Sequence, residues 1–197
     1  QAGDNDTNGI SIDANDISSG TITDLAGNIA SDVTLEAVTD NSSYKVDTAA
    51  PSVDNFTMSD TALKIGDNAT VTFVFSEQIC PETDSCAVEF TNSDITAPNG
   101  SLSTLATSDN TTWTGTFVPT DDVQLDDSNV LTLGTGYTDL AGNTGPSATT
   151  ANYEVDTTEP EVDTIAITAQ SGISSYNFLN PGDNVSFTVT FSEQVVV

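Results

Sequence analysis

The hexapeptide TDLAGN stands at Thr23–Asn28 and again at Thr138–Asn143. An identical stretch at domain-sized spacing marks a repeated unit, and it restricts the chain to folds that can be built in series. Other pairs keep nearly the same offset. GDN occurs at Gly66–Asn68 and Gly182–Asn184, FSEQ at Phe75–Gln78 and Phe191–Gln194, and VDT at Val46–Thr48 and Val155–Thr157. A proline follows each VDT, at Pro51 and Pro160. Aligned on these pairs, residues 48–156 form one complete unit, 1–47 the closing part of another, and 157–197 an opening part. The expectation is a window in a longer tandem array. The alternative is a subunit whose open ends are completed by neighbouring chains through strand addition.

Within the unit the pattern is that of short strands: alternating stretches rich in Val, Thr and Phe, punctuated by Asn, Asp and Gly. In ATVTFVFSE, Val71, Phe73 and Phe75 fall on one face, and Thr70 and Thr72 on the other. TWTGTFV places Trp113, Gly115 and Phe117 on one face between threonines. Residues 129–137 and 151–155 supply two further strands, and the stretch after Pro51, the segment near 87–90 and residues 102–105 supply three. About seven strands in such a length, with no helical periodicity, predict an all-β, immunoglobulin-like sandwich.

Strand order then brings distant motifs together. With the strands lettered A to G, the B–C and F–G loops lie at the pole where the chain enters the sandwich. FSEQ closes strand B and TDLAGN lies between F and G, while VDT is the hinge into each unit. Asp47, Glu77, Asp139 and Asn143 are therefore expected at one junction, and Asp156, Glu159 and Glu193 at the next. Asp24 and Asn28 would serve a junction ahead of residue 1.

The charge balance says what such a pole would hold. The chain carries 30 acidic residues against 2 basic ones, with no histidine, for a net charge of −28. Too few cations are present to neutralise a phosphate backbone, which excludes nucleic acid as a partner, and anionic membranes are disfavoured alike. No apolar run is long enough for membrane insertion. Carboxylates at this density repel one another unless cations sit among them, so the composition points to bound calcium or to life in salty water. Calcium takes 6–8 oxygen ligands from carboxylates, carbonyls and water, and the predicted pole offers such donors. The competing reading of DLAGN is a plain hairpin turn, since Asp, Asn and Gly are ordinary turn residues.

DNDTNG, with Asp4, Asp6 and Asn8, matches the first half of a calcium loop but lacks the acidic residue at its twelfth position. The run 120–129 reads as a solvated acidic loop holding Asp121, Asp122, Asp126 and Asp127. Cys80 and Cys86 have no further Cys or His to complete a zinc set, so a local disulfide is expected, and with it an oxidising compartment. Without histidine, triad and imidazole-base chemistry fail at the first step, and the reading is non-enzymatic.

The run VDTAAPSV, LKIGDNATVTFVFSEQI, TTWTGTFVPT, NVLTLGTGYTDLAGNTGP and YEVDT resembles the bacterial Ig-like repeats of giant surface adhesins. Many such adhesins leave the cell by type I secretion and carry RTX-type C-terminal regions. The resemblance covers 48–156 fully and implies an extracellular stalk that projects an adhesive tip, stiffened by calcium at its junctions. It further implies neighbouring Ig-like domains as the principal partners. The rival readings are an acidic surface filament or layer of a salt-adapted microbe, and a module that binds carbohydrate or protein.

Overall fold

The computed structural model describes residues 5–12, 21–30, 37–82, 86, 88–171 and 178–196. Among the described residues ahead of the complete unit are four short strands: β1 (Asn5–Asp6), β2 (Ile10–Ile12), β3 (Val38–Asn41) and β4 (Val46–Asp47). They pair antiparallel as β1 with β4 and β2 with β3.

The unit itself begins with β5 (Val53–Met58), β6 (Ala62–Lys64) and β7 (Ala69–Phe75). It continues through β8 (Ile95–Thr96), β9 (Gly100–Leu102), β10 (Ala106–Thr107) and β11 (Thr112–Pro119). It closes with β12 (Asp126–Asn129), β13 (Thr132–Leu133), β14 (Ala148–Thr149) and β15 (Tyr153–Asp156). One sheet runs β10–β11–β7–β5, with β9 also on β11. In the other layer β12–β15–β6 and β14–β13–β8 continue one another along the same two stretches of chain. The result is the two-sheet, all-β, Ig-like sandwich. Two of its pairings matter below: β5 on β7 antiparallel, and β6 on β15 parallel.

Alternation explains which faces meet. Ala69, Val71, Phe73 and Phe75 of β7 are buried, and so are Trp113, Gly115 and Phe117 of β11. The facing layer contributes Leu63, Leu131, Leu133, Tyr137, Tyr153 and Val155. Phe90 sits between the layers. Its ring meets Phe73, Phe75 and Trp113 edge-on at 5.4, 5.5 and 5.1 Å, and Tyr137 at 5.4 Å.

Four expectations change. Residues 102–105, expected as one strand, fall mostly on the gap between β9 and β10. Residues 88–90 are not strand; the third strand is β8, five residues beyond Phe90. Phe90 instead hangs from Cys80, whose carbonyl accepts its N–H at 2.9 Å, and Thr91 caps the 3₁₀ turn Asn92–Asp94. The acidic run before Asn129 is not all loop, because Asp126 and Asp127 open β12, with Asp126 accepting from Asn99 at 2.8 Å. The opening strand is split into β5 and β6, so the chain crosses from one sheet to the other between Met58 and Ala62.

After the unit come β16 (Val162–Ser171) and β17 (Asn184–Phe191), paired antiparallel. No described helix is long and apolar enough to cross a membrane.

Candidate metal centre

The turn of TDLAGN is built by one aspartate. Asp139 Oδ1 accepts from the backbone N–H groups of Ala141 and Asn143, both at 2.8 Å, while Oδ2 accepts from Asn143 Nδ2 at 2.8 Å. The Asp139 N–H returns a bond to the Asn143 carbonyl at 3.0 Å. Gly142 closes the turn at φ 96°, a conformation open to glycine and strained for other residues. The same web occurs at Asp24: Oδ1 accepts from Ala26 and Asn28 at 2.9 and 2.8 Å, and Oδ2 from Asn28 Nδ2 at 2.8 Å. The hexapeptide is thus a self-contained turn that forms in two different surroundings.

The surroundings differ. Asp24 is exposed, whereas Asp139 is 1% exposed, held against the loop after β7 by a bridge to Ile79 and by Cys80 N–H donating to the Thr138 carbonyl at 3.0 Å. That loop presents Glu77. The linker presents Asp47, whose Oδ1 accepts from Ala49 N–H at 3.1 Å. Carboxylate oxygens of Asp47, Glu77 and Asp139 all lie within 4.8 Å of one another. No other such acidic group occurs among the described residues. Burial is the first cause that raises the Glu77 carboxyl above its ordinary 4.5, followed by the charges of Asp47 and Asp139 and a hydrogen bond with Asp47.

A carboxylate offers about four lone-pair sites. Three bonds from the turn use two sites on Asp139 Oδ1 and one on Oδ2, which leaves Oδ2 able to face a cation. The donors are all oxygen, the set preferred by calcium and magnesium over softer metals. Lys45 lines the cleft beside Asp47 and Glu77. Asn143 acts as a brace: its Nδ2 donates to the Asp47 carbonyl at 3.2 Å as well as to Asp139. Sequence reasoning placed Asn143 at the pole without giving it this role, since no pattern states which way an amide points.

The remaining candidates lie apart. Asp156, Glu159 and Glu193 line one cleft of about 510 Å³. Asp6 Oδ1 accepts from the N–H groups of Asn8 and Gly9 at 3.2 and 3.0 Å, and Asn8 Nδ2 donates to Asp40 at 2.7 Å. Asp4 lies outside the described residues. Cys80 and Cys86 form a disulfide with Cα atoms 5.9 Å apart. A cavity of about 310 Å³ beside it is walled by Phe90, Asn92 and Trp113, but Asn92 and Trp113 direct their polar groups to the chain's own carbonyls and N–H groups.

No curated protein and no solved structure matches the chain. The family model described as bacterial Ig-like domain matches residues 47–155. Such domains are typically modules of extracellular or cell-surface proteins. The matched span opens on Asp47 and holds the buried sandwich, Glu77 and the second TDLAGN turn, and over more than half of its length the chain belongs to the bacterial Ig-like domain family.

Proposed function

We propose that the chain is a non-enzymatic stalk segment of a secreted bacterial adhesin, with tandem Ig-like units stiffened by calcium at their junctions. The observation that carries the reading is the meeting of Asp47, Glu77 and Asp139, which belong to the linker, the loop after β7 and the TDLAGN turn. Three like charges at this separation repel, and a divalent ion among them converts the repulsion into a clamp on the linker. Asp47, Glu77 and Asp139 would hold the ion, while Asn143 and the turn N–H groups fix where the carboxylates point. The Cys80–Cys86 disulfide fits an extracytoplasmic place.

Thermal unfolding of the 197-residue chain with calcium, magnesium or chelator tests the reading. A site of about 0.1–1 mM gains roughly 1.4–2.7 kcal/mol at ~10 mM ion. A melt raised by calcium and not by magnesium supports it. A melt that follows bulk salt alone overturns calcium and favours general acidic solvation on an Ig-like filament.

A further inference from the structure

Asn110 has a side chain to spare in a position where the rest of the residue is fully used. It stands in the β10–β11 turn at φ 60°, a left-handed conformation that asparagine tolerates. Its N–H donates to Thr107 Oγ1 at 2.9 Å, and its carbonyl accepts from Trp113 Nε1 at 3.1 Å and from Ile79 N–H at 2.8 Å. Its side-chain amide finds no hydrogen-bond partner among the described residues, and the Thr104 hydroxyl finds none either. Both residues line the cavity of about 310 Å³ beside the disulfide.

The walls of this cavity are held by the chain's own bonds. Asn92 pins the β9–β10 connection: its Nδ2 donates to the carbonyls of Leu102 and Ser103 at 2.8 and 2.6 Å, and its Oδ1 accepts from Leu105 N–H at 3.1 Å. Thr107 and Asp109 pin the β10–β11 turn. Thr107 Oγ1 donates to the Thr112 carbonyl at 2.8 Å, and Asp109 Oδ1 accepts from the N–H groups of Thr111 and Thr112 at 2.9 and 2.8 Å. Every wall residue belongs to the complete unit 48–156, so the cavity is a property of the unit and not of its flanks. A site shaped in advance loses little freedom on binding. Its volume sits at the lower end of the roughly 300–1,000 Å³ common for small-molecule sites.

The lining restricts the ligand. Pro81, Phe90, Leu105 and Trp113 give apolar surface. A wholly apolar guest would bury the Asn110 amide and the Thr104 hydroxyl without partners, which is unfavourable. An anion meets Glu82 in the lining and a chain of net charge −28, with neither lysine among the walls. A metal ion finds a single carboxylate there, that of Glu82, too few for an oxygen cage. A neutral sugar ring combines carbon-bound hydrogens with hydroxyls that both donate and accept. The Asn110 amide and the Thr104 hydroxyl offer donors and acceptors to such hydroxyls, and Glu82 offers acceptors. We propose that this cavity binds a neutral pyranose unit of a glycan, a site separate from the calcium junction that gives the unit a weak grip of its own.

The test is saturation-transfer NMR on the whole chain in chelator, with glucose, galactose, mannose and N-acetylglucosamine at millimolar concentrations. Trp113 is the chain's single tryptophan and lines the cavity, so its fluorescence reports occupancy independently. At least one of the four sugars is expected to bind and to shift the Trp113 emission. Asn110→Gly removes the amide while easing the left-handed turn, and near-ultraviolet dichroism checks that the fold is kept. Its affinity is expected to fall about tenfold, as for a lost hydrogen bond. No binding of any of the four, equal affinity in wild type and Asn110→Gly, or sialic acid held more tightly than all four would each overturn the proposal. Benzene held more tightly than any sugar would do so too, by marking the cavity as an apolar one. Binding that appears only with calcium would place the sugar on the junction ion and overturn the separate site.

Discussion

Asn143 Nδ2 donates to the backbone carbonyl of Asp47 at 3.2 Å, across 96 residues of sequence, and to Asp139 Oδ2 at 2.8 Å. One amide therefore ties the linker to the F–G turn and sets the separation of two candidate ligands. Asn143→Ala removes both bonds and leaves a buried carboxylate short of a donor. The expected cost is about 1–3 kcal/mol in urea unfolding, together with a weaker calcium response. Loss of stability with an unchanged calcium response would separate the brace from the ion.

Glu77 gives the junction a pH dependence of defined sign. Its carboxyl is raised, by burial first and then by Asp47 and Asp139, so the folded chain binds more protons than the unfolded one at pH values above 4.5. Without calcium, stability is fullest below that value and falls as pH rises through the raised one. Glu77→Gln is expected to flatten this part of the profile, and calcium to oppose the fall by favouring the ionised acid. A wild-type profile already flat in chelator would remove the strain attributed to Glu77.

Phe90 lies outside any strand, yet its ring meets four others. Phe90→Ala opens a hole between the sheets and is expected to cost about 3–5 kcal/mol. Near-ultraviolet dichroism and chemical unfolding read it directly. Phe90→Leu restores volume without the edge-to-face contacts, and each of those is worth about 0.5–1.5 kcal/mol.

Reduction of Cys80–Cys86 should be mild. So short a loop gains only about 2 kcal/mol on the chain-entropy account. Cys80 stays anchored without it, its N–H on Thr138 and its carbonyl on Phe90. A reduced chain that keeps the calcium response expected of the native one is the predicted outcome; loss of that response would show that the disulfide shapes the proposed metal centre.

The sandwich was legible because β7 and β11 alternate between buried positions and outward ones filled mostly by threonine, and that period admits few other structures. The approach of Asp47, Glu77 and Asp139 could be read from strand order alone, since loops that share a pole are fixed by topology. Three features were not legible. Phe90 looked like strand because a buried aromatic near Val88 fits either a ladder or a plug, and only packing decides between them. The split of the opening strand was hidden because Ser59, Asp60 and Thr61, which separate β5 from β6, are ordinary in either setting. The direction of the Asn143 amide has no sequence signal.

The parallel pairing of β6 with β15 sets Ala62, Leu63 and Lys64 beside Glu154, Val155 and Asp156. Tension applied along the proposed stalk would enter this unit at Asp47 and leave at Asp156. It drags these two neighbours in opposite senses along their own axes, so their bonds are sheared together instead of being peeled one after another. Single-molecule extension should then show one abrupt rupture for the unit at high force, and a gradual, low-force lengthening would contradict it. In the proposed stalk, the short strand that follows the change of sheet would hold the exit strand in place, because β6 lies directly against β15.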